Sequence, residues 1–134
     1  MDAVAGAAGD GVEAFRAAGR ALFSLGLVKG AEGNLSVSDG RTIVITRTGA
    51  RLDELDLPDL VRGAVDGQLP GASSDREVHR RMYGERGAGA VAHCHPRGSV
   101  PEEGAAPGRH GVYAFGPTLE AAVAEAVRVA RGLT

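Results

Sequence analysis

Val91-Ala92-His93-Cys94-His95-Pro96 is an apolar run that carries two histidines one residue apart. Alternate residues of an extended strand share a face, so His93 and His95 stand side by side while Cys94 points the other way. Two imidazoles on one stiff backbone can supply part of the ligand set of a divalent metal. The same spacing also suits two half-exposed polar residues, so a third ligand has to be found. His110, followed by Gly111 and a second apolar run, is the candidate.

The elements that must position these residues follow from hydrophobic periodicity. Phe15, Ala18, Leu22 and Leu25 recur at three- and four-residue steps and predict an amphipathic helix from Val12 to Leu25, with Gly26 and Gly30 as stops. Asn34 to Ser38 alternates as a half-buried strand, Asp39-Gly40 is a hairpin turn, and Thr42 to Thr46 is the β-branched return. Leu60 to Val65 reads as a short strand closed by Asp66-Gly67. Ser74-Asp75-Arg76-Glu77 has the form of a capping box, which opens a second helix carrying Val78 and Met82 on one face. After the histidine strand, Pro96 to Gly108 has no hydrophobic period and reads as a loop. His110 to Phe115 alternates as a strand, and Thr118 caps a last helix with Leu119, Val123, Ala126, Ala130 and Leu133 as its buried stripe. Helices and mainly hairpin-linked strands in this order predict an α/β fold, a mainly antiparallel central sheet layered with helices.

With 134 residues the chain is expected to form a single domain, residues 1–134, able to bury roughly two thirds of its unfolded surface. The first eleven residues, rich in Ala and Gly, are expected to be flexible. One cysteine allows no intrachain disulfide, and no basic region leads an apolar stretch at the start, which together predict a soluble cytoplasmic protein. The net charge of −2 comes from 15 basic and 17 acidic residues mixed along the chain. With only five aromatics and no basic stripe, nucleic acid is not an expected partner, and no apolar run of about 20 residues predicts a membrane one. The 21 glycines imply many tight turns or several close backbone approaches.

Gly33-Asn34-Leu35-Ser36-Val37, Ile45-Thr46-Arg47-Thr48-Gly49, Ser73-Ser74-Asp75, His93-Cys94-His95-Pro96 and Arg109-His110-Gly111 occur in that order and together resemble the class II aldolase/adducin family. That family contains fuculose-phosphate-type aldolases and ribulose-phosphate 4-epimerases. The resemblance runs from about Val12 to Arg97 and again from Arg109 to about Arg131. It implies a divalent ion, zinc first with manganese or cobalt as alternatives, held by His93, His95 and His110. It further implies that Asn34, Thr48, Gly49, Ser73 and Ser74 hold the phosphate of a small phosphorylated sugar or hydroxy-aldehyde. Small hydroxyls, an amide, backbone donors beside glycine and the positive end of a helix suit such an anion. Asp75 stands where the family's aldolases carry a glutamate acid/base and its 4-epimerases an aspartate.

The implied activity is aldol cleavage or condensation through a metal-stabilised enediolate, in a homo-oligomer, expected to be a tetramer. Sugar-phosphate 4-epimerisation by the same cleavage is one alternative. A non-catalytic adducin-like assembly or metabolite-binding module is another. The chain departs from the family pattern in one place: only 14 residues, Pro96 to Arg109, separate His95 from His110. The strand, helix and proton-donating tyrosine of the family's longer segment have no full-size counterpart there. Tyr83 is expected to be structural, and Tyr113 to alternate away from His110. Fourteen extended residues still reach over about 30 Å, enough for three histidines to close on one ion.

Overall fold

The computed structural model describes residues 3–96 and 111–132, with side chains from residue 11 onward. Among these, the chain runs α1 (Ala3–Ser24), β1 (Asn34–Ser38), β2 (Thr42–Thr46), two 3-10 turns (Leu52–Glu54 and Leu57–Asp59) and β3 (Leu60–Ala64). It continues through α2 (Arg76–Arg86), β4 (Gly89–Cys94), β5 (Val112–Gly116) and α3 (Leu119–Gly132). The five strands form one sheet in the order β3-β2-β1-β4-β5, every neighbouring pair antiparallel.

Strand alternation sorts the side chains into two cores. Leu35, Val44, Ala90, Ala92, Cys94, Val112 and Ala114 face Phe15, Ala18 and Leu22 of α1 and Leu119, Ala122, Val123 and Ala126 of α3. On the opposite face Ile43, Ile45 and Val91 pack with Tyr83 of α2, and Tyr113 and Phe115 join them. The sheet therefore lies between a two-helix layer and α2, the layered α/β arrangement that the periodicity predicts.

Local chemistry explains the boundaries. α1 ends in a Schellman motif: Leu27 N–H reaches the Leu22 carbonyl at 2.9 Å and Gly26 N–H that of Phe23 at 3.0 Å, with Gly26 at φ 72°. At the hairpin Asp39 Oδ1 accepts from the Arg41 and Thr42 amides at 2.8 and 2.7 Å. Thr118 Oγ1 accepts from Ala121 N–H at 3.1 Å and caps α3, as expected.

Two boundaries differ from expectation. α1 already begins at Ala3, inside the stretch expected to be flexible, because Ala-rich sequence favours helix even without an apolar stripe. The capping box at Ser74 is absent: α2 starts at Arg76, its N-cap is Asp75, and the Asp75 side chain makes no cap bond. Ser73 Oγ accepts the Asp75 amide at 3.2 Å instead, and the Asp75 carboxylate is drawn across to β1.

α1 meets the first 3-10 turn at Gly19, where an added Cβ would lie 1.9 Å from the Leu52 carbonyl oxygen. Alanine normally improves a helix by about 1 kcal/mol over glycine. Here overpacking against backbone wins, and Gly19→Ala is expected to destabilise by about 1–3 kcal/mol, read as a lower midpoint in thermal denaturation. An unchanged or raised midpoint refutes the close approach.

Candidate active site

The site lies on the α2 side of the sheet, where β1 and β4 run side by side with Asn34 opposite His93. His93 is almost fully buried, and its Nδ1 donates to the Val112 carbonyl at 2.9 Å. The neutral ring then carries its lone pair on Nε2, which faces Asp75 Oδ2 at 3.6 Å. Two electron-rich atoms aimed at one another are relieved by a proton or a metal cation between them. The Tyr113 ring stacks on His93 with centroids 3.8 Å apart and planes 10° from parallel, so the imidazole is held on both its edge and its face. The His95 ring lies 4.6 Å from that of His93, on the same side of the strand as its spacing predicts, while its amide donates to Leu27 at 2.8 Å.

Gly111 makes this approach possible. It has φ 98°, and a Cβ there would come within 2.3 Å of the Cys94 carbonyl and 3.2 Å of His93 Cε1. Cys94 itself points into the α1/α3 core, where burial pushes its thiol up to about 12, so it is inert.

Beneath the histidines a second set of polar groups is buried. Asn34 Nδ2 donates to Asp75 Oδ2 at 2.8 Å, and Asn34 Oδ1 meets His79 Nε2. His79 Nδ1 meets Ser36 Oγ at 2.6 Å, and Ser36 Oγ meets the Tyr83 hydroxyl at 2.7 Å. Burial, reinforced by a charge on His93, lowers the His79 pKa to about 3, while Asp75 opposes the shift. Burial raises the Tyr83 hydroxyl well above its ordinary value, so it stays protonated.

The loops that follow β2 and precede α2 meet beside this centre. Arg47 bridges to Ala72, Thr48 N–H donates to the Gly71 carbonyl at 2.9 Å, and Ser73 N–H to that of Thr46 at 3.0 Å. Thr48 and Gly49 are thus brought to Ser73 and Ser74, with Ser73 buried and the other three exposed along a rim. Gly49, at φ 77°, turns the first of these loops.

Of the residues singled out in the sequence, Asn34, Asp75, His93 and His95 form one cluster, and Thr48, Gly49, Ser73 and Ser74 form the rim next to it. His110 lies outside the described residues. Among the described residues no group of three His, Cys, Asp or Glu side chains is placed to hold a metal. The donor chemistry of His93 and Asp75 nevertheless fits a divalent ion, because Nε2 and Oδ2 lie 3.6 Å apart and the Val112 bond leaves the His93 lone pair on Nε2. Sequence reasoning missed His79, Ser36 and the stacking role of Tyr113. A signal existed: Asp75, His79 and Tyr83 are spaced four apart on one helix stripe, and Ser36 shares the face of Asn34.

A three-layer fold with a histidine–carboxylate pair next to a hydroxyl-lined rim defines a recognisable class of protein. Residues 13–101 match the Class II Aldolase and Adducin N-terminal domain, and the chain belongs to that family. It is 38% identical over 85 residues, 59% of its length, to a bifunctional methylthioribose-1-phosphate isomerase/methylthioribulose-1-phosphate dehydratase of Nocardia farcinica. It is likewise 38% identical over 82 residues, 58% of its length, to a 5-methylthioribulose-1-phosphate/5-deoxyribulose-1-phosphate aldolase of Rhodospirillum rubrum. The chain spans 15% and 37% of the lengths of these two relatives. Among solved structures it resembles the L-fuculose-1-phosphate aldolase of Thermus thermophilus, with a TM-score of 0.75, 27% identity and 90% of each chain covered.

Proposed function

We propose that the chain is a divalent-metal-dependent lyase that cleaves or forms a carbon–carbon bond in a small ketose 1-phosphate. The observation that carries this reading is the facing of Asp75 Oδ2 and His93 Nε2 at 3.6 Å, beside a rim suited to an anion. All three similar proteins described above are named for sugar 1-phosphates of the ketose type. His93, His95 and His110 would hold the ion, zinc in the first place, with manganese or cobalt as substitutes. When bound, it would supply positive charge where a substrate carbonyl and hydroxyl develop negative charge.

The chain's own groups do the rest. Thr48, Gly49, Ser73 and Ser74 offer hydroxyls and backbone amides to the phosphate, and the N-terminus of α2 adds its partial positive charge. The Asn34 NH2 carries two donors and its bond to Asp75 uses one, so the other is the one Asn34 offers a substrate oxygen. Asp75 takes the proton of the substrate hydroxyl as the carbon–carbon bond next to it breaks; the electrons of that bond form a double bond to the carbonyl carbon and the carbonyl oxygen takes the charge, leaving an enediolate. We place this protein in the cytoplasm as a homo-oligomer, a tetramer, in keeping with its single buried cysteine and its short 96–109 segment.

Dehydration of the same kind of substrate is a second reading, favoured by the dehydratase among the similar proteins. The products separate the possibilities. Incubated with ketose 1-phosphates and zinc, manganese or cobalt, the protein is expected to release dihydroxyacetone phosphate and an aldehyde. Loss of water with an intact carbon skeleton selects the dehydratase, and an isomer of unchanged mass selects the 4-epimerase. We further expect about one equivalent of bound metal per chain, lost in His93→Ala. No turnover and no bound metal leave the adducin-like module.

A further inference from the structure

We propose that His79 is a positioning residue: Ser36 and Tyr83 hold it as the Nε2–H tautomer, and it in turn locks the Asn34 amide with its NH2 toward Asp75. This rests on reading Asp75 as the group that moves the proton.

The direction of every bond follows from one end. A carboxylate only accepts, so the 2.8 Å contact with Asp75 Oδ2 is donated by Asn34 Nδ2. Asn34 Oδ1 therefore faces His79, and His79 Nε2 must carry the hydrogen. The neutral ring then has its lone pair on Nδ1, which accepts from the Ser36 hydroxyl at 2.6 Å. Ser36 Oγ, having given its hydrogen away, accepts from the Tyr83 hydroxyl at 2.7 Å. Each hydrogen points toward Asp75.

Reversal would be costly at every link. With the hydrogen on Nδ1, the Asn34 amide would have to flip and set its carbonyl oxygen against the Asp75 carboxylate. His79 and Ser36 are fully buried and Asn34 and Tyr83 are 4% exposed, so water cannot repair a broken link. The frame is rigid as well. Asp75, His79 and Tyr83 lie at successive four-residue steps along the start and body of α2, while Asn34 and Ser36 lie two apart on β1. His79 is itself fully buried and acts through Asn34.

The test uses the full chain, labelled with nitrogen-15 and without substrate. At neutral pH the His79 ring is expected to show a protonated Nε2 and an unprotonated Nδ1, and the Asn34 side-chain amide to exchange slowly. His79→Leu is expected to lower kcat about tenfold or more while KM stays within about threefold. His79→Gln, whose amide can place an N–H near the same point, is expected to restore most of that loss at a similar folded fraction. A protonated Nδ1, or Gln no better than Leu, overturns the proposal. Should His79→Leu fail to fold, Ser36→Ala is expected to loosen the ring while Asn34 still holds its Nε2–H, read as faster exchange of that hydrogen and of the Asn34 side-chain amide; unchanged exchange overturns the proposal equally. If the wild-type protein turns over no ketose 1-phosphate, the lyase reading fails, whereas the ring spectrum still decides the role of His79.

Discussion

Asp75→Asn is expected to lower kcat for a ketose 1-phosphate by about 10²–10⁴-fold, with little change in the thermal midpoint. The substitution is nearly isosteric, and its amide oxygen can still accept from Asn34 Nδ2, now 2.8 Å from Oδ2. Two things are lost. An amide cannot carry away a substrate proton, and its neutral oxygen no longer sets a full negative charge 3.6 Å from His93 Nε2. The phosphate contacts proposed for Thr48, Gly49, Ser73 and Ser74 do not depend on this charge, so KM should move far less than kcat. Steady-state kinetics beside a thermal melt make the comparison. A fall of less than about tenfold, in protein shown to be folded, removes Asp75 from the proton-moving role.

Acid should destabilise the fold through His79. Burial lowers its pKa to about 3 in the native state, whereas an unfolded chain takes up the proton near the ordinary histidine value of about 6.5. Between these values the unfolded chain binds a proton that the native state refuses, so stability rises with pH across the window. It is lost as pH falls from about 6.5 toward 3, at up to about 1.4 kcal/mol per pH unit. Above that window His79 contributes no slope. The groups that face the ring are Asn34, Ser36 and the T-shaped Tyr113, with the charges of His93 and Asp75 acting on it. Denaturant melts of the wild type and His79→Gln at pH 7, 6, 5 and 4 isolate the effect, since His93 and the carboxylates remain in both. The wild type should lose stability more steeply; parallel curves refute the linkage.

What periodicity and turn chemistry could reveal, they revealed well. The strands at Asn34, Thr42 and Leu60 and the cap at Thr118 depend on alternation, β-branching and hydrogen bonds a few residues long, all local properties. The start of α2 was different. Ser74 to Glu77 has the letters of a capping box, but the carboxylate of Asp75 has a stronger partner in Asn34, 41 residues away in sequence. Helix α1 went the other way, extending to Ala3 through residues that no apolar stripe marks.

The sequence by itself determined the layered antiparallel class, the side-by-side placement of His93 and His95, and the family, because strand alternation and short motifs need no knowledge of distant contacts. Only the tertiary structure decided that His93 would turn its Nε2 to Asp75 and lie against Tyr113. It alone joined Asn34, His79, Ser36 and Tyr83 into one buried series, and brought Thr48 to Ser73 across the Arg47 to Ala72 bridge. Strand register and helix packing set those contacts. A hydrogen bond depends on a few tenths of an ångström and on which way an amide or an imidazole is turned, which no spacing of letters encodes.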